Sequence, residues 1–194
     1  NLPLNLPPNP TLPPVVGASA AWHGAMLVGA LAQPAWWPVW LGGVAANHIG
    51  LCAASMWPRS GLLGPNIRQL PDAAKQRQQI CLTIDDGPDP NVTPLVLKLL
   101  SDANAKASFF CIGEKVSQHP EIVRQIVAAG HSVENHTHTH HHRFAFRGRA
   151  GLKAEIAAAQ DQITLVTGRA PRFFRAPAGM RNPLLQPVLA QLGL

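Results

Sequence analysis

Three short runs in this chain carry residue types whose chemistry goes beyond packing. Asp85 and Asp86 leave an apolar stretch directly into Gly87-Pro88. Successive residues of a strand point to opposite sides, so one carboxylate can grip a metal while its neighbour faces a substrate. Taken alone, the same pair reads more readily as an Asx turn capping the next helix. The second run, 136–142, holds five of the nine histidines. Imidazole is a borderline ligand suited to zinc and similar divalent ions. Two histidines four apart converge on one ion where a loop turns helically. Both His136/His140 and His138/His142 satisfy a His-Ser/Thr-x-x-His spacing. His136 directly follows an expected strand end, where a ligand is held most rigidly, so His136 and His140 are the preferred pair. His138, His141 and His142 are then supporting or solvent-facing residues. In the third run, Arg175-Ala176-Pro177-Ala178-Gly179, a buried arginine beside a carboxylate would lower its pKa and fix its orientation. The Ala178 amide could donate to a developing oxyanion.

These runs need elements to position them. Residues 79–84 read as a buried strand ending at the aspartates. Thr93 as N-cap and Pro94 at the first helical position open a helix over 93–103. Residues 107–112 form a second apolar strand. A helix over 120–129 is closed by Gly130, and a short strand follows at 132–135. A long helix over 151–167 is apolar at Leu152, Ile156, Ala159 and Ile163 and stops at Gly168. A fourth strand is expected at 172–175 and a last helix at 183–192. Strands alternating with helices through short links predict a parallel sheet or β/α barrel, with chemistry at the carboxyl ends of the strands. All three runs fall there.

The first 58 residues contain no Lys, Arg, Asp or Glu, although the whole chain carries 16 basic and 10 acidic residues. Residues 1–14 are proline-rich and ill suited to a helix. Residues 15–57 hold two apolar stretches, 15–31 and 36–57, the second about as long as a bilayer core and flanked by tryptophans. A membrane hairpin is expected, with a soluble hairpin buried on the domain and an interfacial hairpin as the alternatives, followed by a linker over 58–77 and a catalytic domain over 78–194. Asn47 and His48 fall mid-span and need partners. The net charge of +6 is dispersed. Arg143, Arg147 and Arg149 around Phe144 and Phe146 form too short a cluster for RNA, so no nucleic-acid partner is expected. Cys52, Cys81 and Cys111 match no zinc framework, and Cys81 and Cys111 read as small buried hydrophobes.

Thr83-Ile84-Asp85-Asp86-Gly87-Pro88, Asn135-His136-Thr137-His138-Thr139-His140 and Arg175-Ala176-Pro177-Ala178-Gly179, in this order, resemble the first three motifs of the NodB-type polysaccharide deacetylases, carbohydrate esterase family 4. The resemblance covers about 78–194. It implies an α/β fold, an incomplete and distorted β/α barrel, here C-terminally truncated and preceded by the apolar hairpin. It also implies Asp85 as general base, Asp86, His136 and His140 as ligands of Zn2+ (Co2+ or another divalent ion in some members), Arg175 as the holder of Asp85, and the Ala178 amide as oxyanion donor. The implied reaction removes N-acetyl groups from an amino-sugar polysaccharide or oligosaccharide. Two departures stand out. The family commonly has Tyr at the position of Ala178, and its later motifs, which supply the acid for the leaving amine, are not found, so a piece of this extent is expected to bind metal and turn over poorly. Two alternatives accompany this reading: deacetylation or deformylation of a lipid-linked amino sugar at the membrane, which the hairpin motivates, and a metal-dependent glycan-binding pseudoenzyme, which the intact Asp85 disfavours. The chain is expected to be membrane-associated. The basic residues after the hairpin point to a cytoplasmic domain and a cell-wall substrate to the opposite side, so sidedness stays open.

Overall fold

The computed structural model describes residues 12–57 and 59–194; most of the proline-rich 1–14 segment lies outside the described residues. Helix α1 spans Pro14–Ala32 and α2 spans Trp37–Met56, joined through a 3-10 turn at Pro34–Trp36. At 1.5 Å per residue each helix is about 30 Å long. Proline in the first turn starts both helices, where a missing N–H costs nothing. The two pack through small residues: a Cβ on Gly29 would come within 2.7 Å of the Trp40 ring, and one on Gly43 within 2.5 Å of Met26 Sδ. Their polar groups pair across the hairpin. Asn47 Nδ2 donates to Ser19 Oγ at 2.8 Å, and Trp22 Nε1 donates to the Gly43 carbonyl at 2.9 Å. His23 and His48 stack edge to face at 5.1 Å, each with Nδ1 on a carbonyl of its own helix. Leu27, Val28, Leu31, Val39, Leu41 and Ile49 point outward and are exposed.

The remaining elements build a parallel sheet of three strands, β1 (Leu82–Gly87), β2 (Ala107–Cys111) and β3 (Ser132–Asn135), in the order β1-β2-β3. Helix α3 (Asp72–Gln76) precedes β1. Helix α4 (Thr93–Asp102) links β1 to β2, and α5 (Gly113–Gln118) and α6 (Pro120–Ala128) link β2 to β3. Helix α7 (Arg149–Thr167) follows the histidine run, and α8 (Leu185–Gln191) comes last. One face of the sheet buries Phe109, Cys111 and Val133 against Leu100, Val116, Val123, Ile126 and Ile163 from the helices. A second cluster, centred on Leu152 and Ile156 of α7, packs Phe144, Ala176, Leu185 and Val188. Helix α7 therefore belongs to both cores. Its expected stripe of Leu152, Ile156, Ala159 and Ile163 is fully buried, and Gly168 closes it with φ +70°.

Several expectations need correction. The first strand begins at Leu82, not at residue 79, and is largely exposed: Ile80 is 82% and Leu82 39% accessible. The cause is position, because β1 is the sheet edge among the described residues and only Ile84 reaches the helical core. Cys81 is exposed for the same reason. Cys111 is fully buried as expected, and burial, aided by Glu134, pushes its thiol pKa up to about 12, which makes it inert. Thr93 is the first residue of α4 and not its cap. Asp89 supplies that turn instead, accepting from the Asn91 and Val92 amides at 2.8 and 2.9 Å. Segment 172–175 adds to the sheet by a single bridge, Asn135 to Phe174, and forms no full strand. Buried Glu134 holds it in place by accepting from the Arg172 and Phe173 amides, both at 2.9 Å. Helices α3 and α5 were not anticipated; both are too short to show a periodicity.

Buried His131 accepts the Ala107 amide on Nδ1 at 3.2 Å, and burial, with Lys106 adding to it, holds its pKa below the ordinary histidine value. The unfolded chain therefore takes up a proton that the native state refuses. Stability is full above about pH 6.5 and declines as the pH falls from there toward the folded value. The urea midpoint should drop between pH 7 and pH 5, and His131→Gln should flatten part of that slope.

Candidate metal and acid-base site

The end of β1 sets two carboxylates at an angle that a regular strand would not allow. From Ile84 to Gly87 the strand advances one residue more than its partner does from Phe109 to Cys111. This bulge, with Asp86 at φ +65°, turns Asp86 off the ladder. Asp85 keeps the strand alternation and lies on the same face as Thr83, opposite the helical core. Arg175 is aimed at that face. Its Nη1 donates to Asp85 Oδ1 at 2.5 Å and to Thr83 Oγ1 at 3.0 Å, and its guanidinium lies 4.1 Å from the centre of the Phe110 ring. The sequence suggests a buried arginine; the side chain is in fact 36% exposed, because it borders an open cleft. A bidentate-capable, aromatic-stacked cation of this kind fixes a carboxylate's orientation more firmly than a lysine would.

Asp86 faces the histidines. Its Oδ1 lies 3.3 Å from His136 Nε2 and 3.2 Å from His140 Nε2. His136 is almost wholly buried, and its Nδ1 is 2.7 Å from the Arg175 carbonyl. A carbonyl only accepts, so Nδ1 carries the proton and Nε2 presents a lone pair when the ring is neutral. Burial, the largest influence, outweighs that hydrogen bond and the nearby aspartates and keeps the His136 pKa below the ordinary value. At neutral pH the ring is uncharged. Its Nε2 and the Asp86 oxygen are then two acceptors facing each other, an arrangement that repels unless a cation lies between them. Ligand atoms of Asp86, His136 and His140 all fall within 4.8 Å of one another. The donor set of two imidazoles and one carboxylate fits zinc or a similar ion, and the carbonyl behind His136 is the outer partner such ligands commonly have.

Of the two possible histidine registers, the structure brings together His136 and His140. His142 also lines the cleft, with Asp85, Arg175, Ala176, Ala178 and Gly179. His141 is exposed and accepts the Arg143 amide on Nδ1. His138 turns away, and its Nδ1 is the one buried side-chain polar atom without a hydrogen-bond partner among the described residues. Ala178 sits in a 3-10 turn, Pro177–Gly179, at φ +52°. Asp86, Thr137, His140 and Ala178 are four of the six non-glycine residues with positive φ among those described. Such conformations cost energy and persist where the surroundings impose them, so their gathering at one cleft marks it as built.

The supports were harder to foresee. Fully buried Asn135 donates to the Ile156 carbonyl and Gln160 Oε1, both at 2.9 Å, and accepts the Thr137 amide at 2.9 Å. Buried Glu155 of α7 accepts from Thr139 N at 3.0 Å and from its hydroxyl, and pairs with Arg147 at 3.1 Å. Glu155 lies three residues after Leu152 on the apolar stripe of α7, and a carboxylate on a buried stripe was the available signal. Across the cleft, consecutive amides at the start of α5 tie the two ligand loops together. Ile112 N donates to the Gly87 carbonyl at 2.9 Å, Gly113 N to Thr137 at 3.0 Å and Glu114 N to His138 at 2.9 Å. Lys115 Nζ adds a bond to the Asp86 carbonyl at 2.8 Å. A Cβ on Gly113 would lie 2.5 Å from His138 Nδ1 and 3.1 Å from the Ala159 Cα.

A parallel α/β sheet with carboxylates, imidazoles and an arginine at its carboxyl ends forms a candidate metal and acid-base site. A family model described as polysaccharide deacetylase matches residues 72–194, beginning six residues before the expected boundary. The chain belongs to the polysaccharide deacetylase family. It is similar to a chitooligosaccharide deacetylase of Azorhizobium caulinodans, 37% identical over 123 residues that cover 62% of this chain and 57% of the relative. Among solved structures it resembles the family 4 carbohydrate esterase from Streptomyces lividans in complex with acetate, with TM-score 0.57, 37% identity and 59% of each chain covered. It also resembles a family 4 acetyl xylan esterase from Clostridium thermocellum in complex with a cobalt ion, with TM-score 0.52, 34% identity, 54% of this chain and 51% of that one. The chain thus spans a little over half the length of these relatives.

Gly113→Ala should force the His138 segment away from α5 and spread the ligands. Divalent-metal affinity, read by calorimetry, should fall about tenfold or more, with far-ultraviolet circular dichroism unchanged.

Proposed function

We propose that residues 78–194 carry the metal-binding and proton-accepting part of a hydrolase that removes N-acetyl or other N-acyl groups from an amino-sugar polysaccharide or oligosaccharide. The observation that supports this most is the convergence of Asp86, His136 and His140 beside a second carboxylate, Asp85, that Arg175 holds in another direction. The family membership and the named activity of the Azorhizobium relative agree with it. In this reading Asp86, His136 and His140 hold a divalent ion, zinc by donor chemistry, with cobalt consistent with the Clostridium structure. When bound, such an ion lowers the pKa of water and polarises an acyl carbonyl.

The chain's own groups supply the proton acceptor and the oxyanion donor. The proton that the leaving amine must receive as the C–N bond breaks is assigned to none of them. Asp85, kept out of the ligand set, accepts the proton of the attacking water, and Arg175 keeps its oxygen aimed into the cleft. Asn135 and Glu155 hold the histidine loop so that both imidazoles stay aligned. The Ala178 amide donates to the developing oxyanion, a contribution whose loss typically raises a barrier by about 3 kcal/mol. Because the donor is backbone, a methyl side chain suffices there. The incomplete, distorted barrel of the family is the frame into which this sheet fits.

A second reading concerns where the substrate lies. The hairpin, residues 15–57, has about the length of a bilayer core, carries no charge and turns its polar residues toward each other. We place it in the membrane, which favours an amino sugar linked to lipid or held close to the bilayer. The intact base argues against a pseudoenzyme that only binds glycans.

Asp85→Asn should lower hydrolysis of an N-acetylated chitooligosaccharide by about two to four powers of ten, the range for a lost general base, and leave metal affinity nearly unchanged. Equal turnover in the variant would remove Asp85 from the role.

A further inference from the structure

Arg181 follows the Ala178 turn by three residues, yet none of its bonds point to the cleft. Its main chain closes on the last turn of α2: the Arg181 amide donates to Ser55 Oγ at 3.1 Å, and the Ser55 hydroxyl donates to the Arg181 carbonyl. Its guanidinium is wrapped by the linker. Nη2 donates to the Ser60 carbonyl at 2.8 Å, and Nη1 to the carbonyls of Pro65 and Gly64 at 3.3 and 3.5 Å. Among the described residues no carboxylate pairs with it. A half-buried guanidinium satisfied by carbonyls alone is costly to place and needs all its acceptors at once. The linker meets that need because it is locked from the other side. Leu63 is 2% exposed, and Gly64, at φ +118°, packs so closely on α8 that a Cβ would lie 2.9 Å from Gln186 Oε1. On the cleft side, Asn182 Nδ2 donates to the Ala145 and Arg147 carbonyls at 2.9 and 3.0 Å, next to the Arg147 that pairs with Glu155.

From these contacts we infer that Arg181 is a positioning residue that locks the catalytic cleft at the bilayer surface, so that the enzyme's preferred substrate is an N-acylated amino sugar presented within a short reach of the membrane. The inference rests on the deacetylase and membrane readings given above. Three residues span at most about 11 Å, so Arg181 lies no further than that from Ala178 in the cleft wall, and the α2 terminus is one hydrogen-bonded side chain beyond Arg181. Trp57 is exposed just past α2, the position of an interfacial anchor. The cleft therefore sits at the level where a lipid-borne or membrane-adjacent glycan begins. A soluble glycan gains nothing from this tether, whereas a substrate in the same membrane gains effective concentration.

The test uses the whole protein in phosphatidylcholine vesicles, comparing wild type with Arg181→Met and, as an independent route to the same joint, Gly64→Ala. Three rates are read: deacetylation of an N-acetylglucosaminyl lipid in the same vesicles, deacetylation of soluble chitotetraose, and tryptic cleavage at Arg59 and Arg68. Both variants should lose about tenfold or more in kcat/KM on the vesicle substrate, the scale on which tethering acts. They should keep chitotetraose turnover within about twofold, and linker cleavage should speed up because the joint opens more often. Equal losses on both substrates, or unchanged cleavage, would overturn the inference. If wild type hydrolyses neither substrate, the deacetylase reading fails by itself, and the cleavage rates still decide whether Arg181 holds the joint.

Discussion

Two imidazole nitrogens and a carboxylate oxygen, each a group that can ligate a metal ion, are held within a few ångströms of one another at the ends of β1 and β3. The neutral His136 Nε2 and the Asp86 oxygen, left to themselves, repel. The fold spends buried hydrogen bonds and strained backbone to keep them there, and a divalent cation shared among them would offset that cost. His136 shows the logic most plainly. The Arg175 carbonyl takes its Nδ1 proton, burial keeps the ring neutral, and Nε2 is left pointing at Asp86.

The rest of the domain divides into what aims these groups and what separates them. The bulge in β1 sends Asp86 toward the histidines and leaves Asp85 on the face of Thr83 and Phe110, where Arg175 collects it. Two adjacent carboxylates thus have different partners, one facing imidazoles and the other a guanidinium. Helix α7 runs behind both cores and reaches the histidine loop through Glu155, Ile156 and Gln160. Packing errors in α7 therefore reach the ligands directly. The amides that open α5 tie the aspartate loop to the histidine loop, which makes Gly113 a point of contact where an added methyl has no room.

Much of this is legible in the amino-acid sequence. The apolar stripe of α7, the Gly168 stop, strands β2 and β3 and both long N-terminal helices follow from periodicity, proline and glycine placement. The pairing of His136 with His140 was reached from the rigidity of a strand end. The failures have a common cause, which is that tertiary surroundings decide burial. Ile80 and Cys81 are apolar but lie outside the ladder at an exposed edge, so both face solvent. Arg172–Arg175 has the composition of a strand, yet Glu134 satisfies two of its amides and limits its pairing to one bridge. Asn135, Glu134, Gln160 and Arg181 carry their roles through contacts with residues distant in sequence, which no local pattern reveals. Only Glu155, a carboxylate on a buried helical stripe, left a trace that could have been read.

The most direct test of the central claim is an anomalous-diffraction structure of the zinc-loaded protein, collected across the zinc edge. The account predicts one ion bound by His136 Nε2, His140 Nε2 and an Asp86 oxygen at about 2.0–2.2 Å, with Asp85 outside bonding distance and still on Arg175. An ion held by His138 and His142, or a zinc peak away from Asp86, would contradict it.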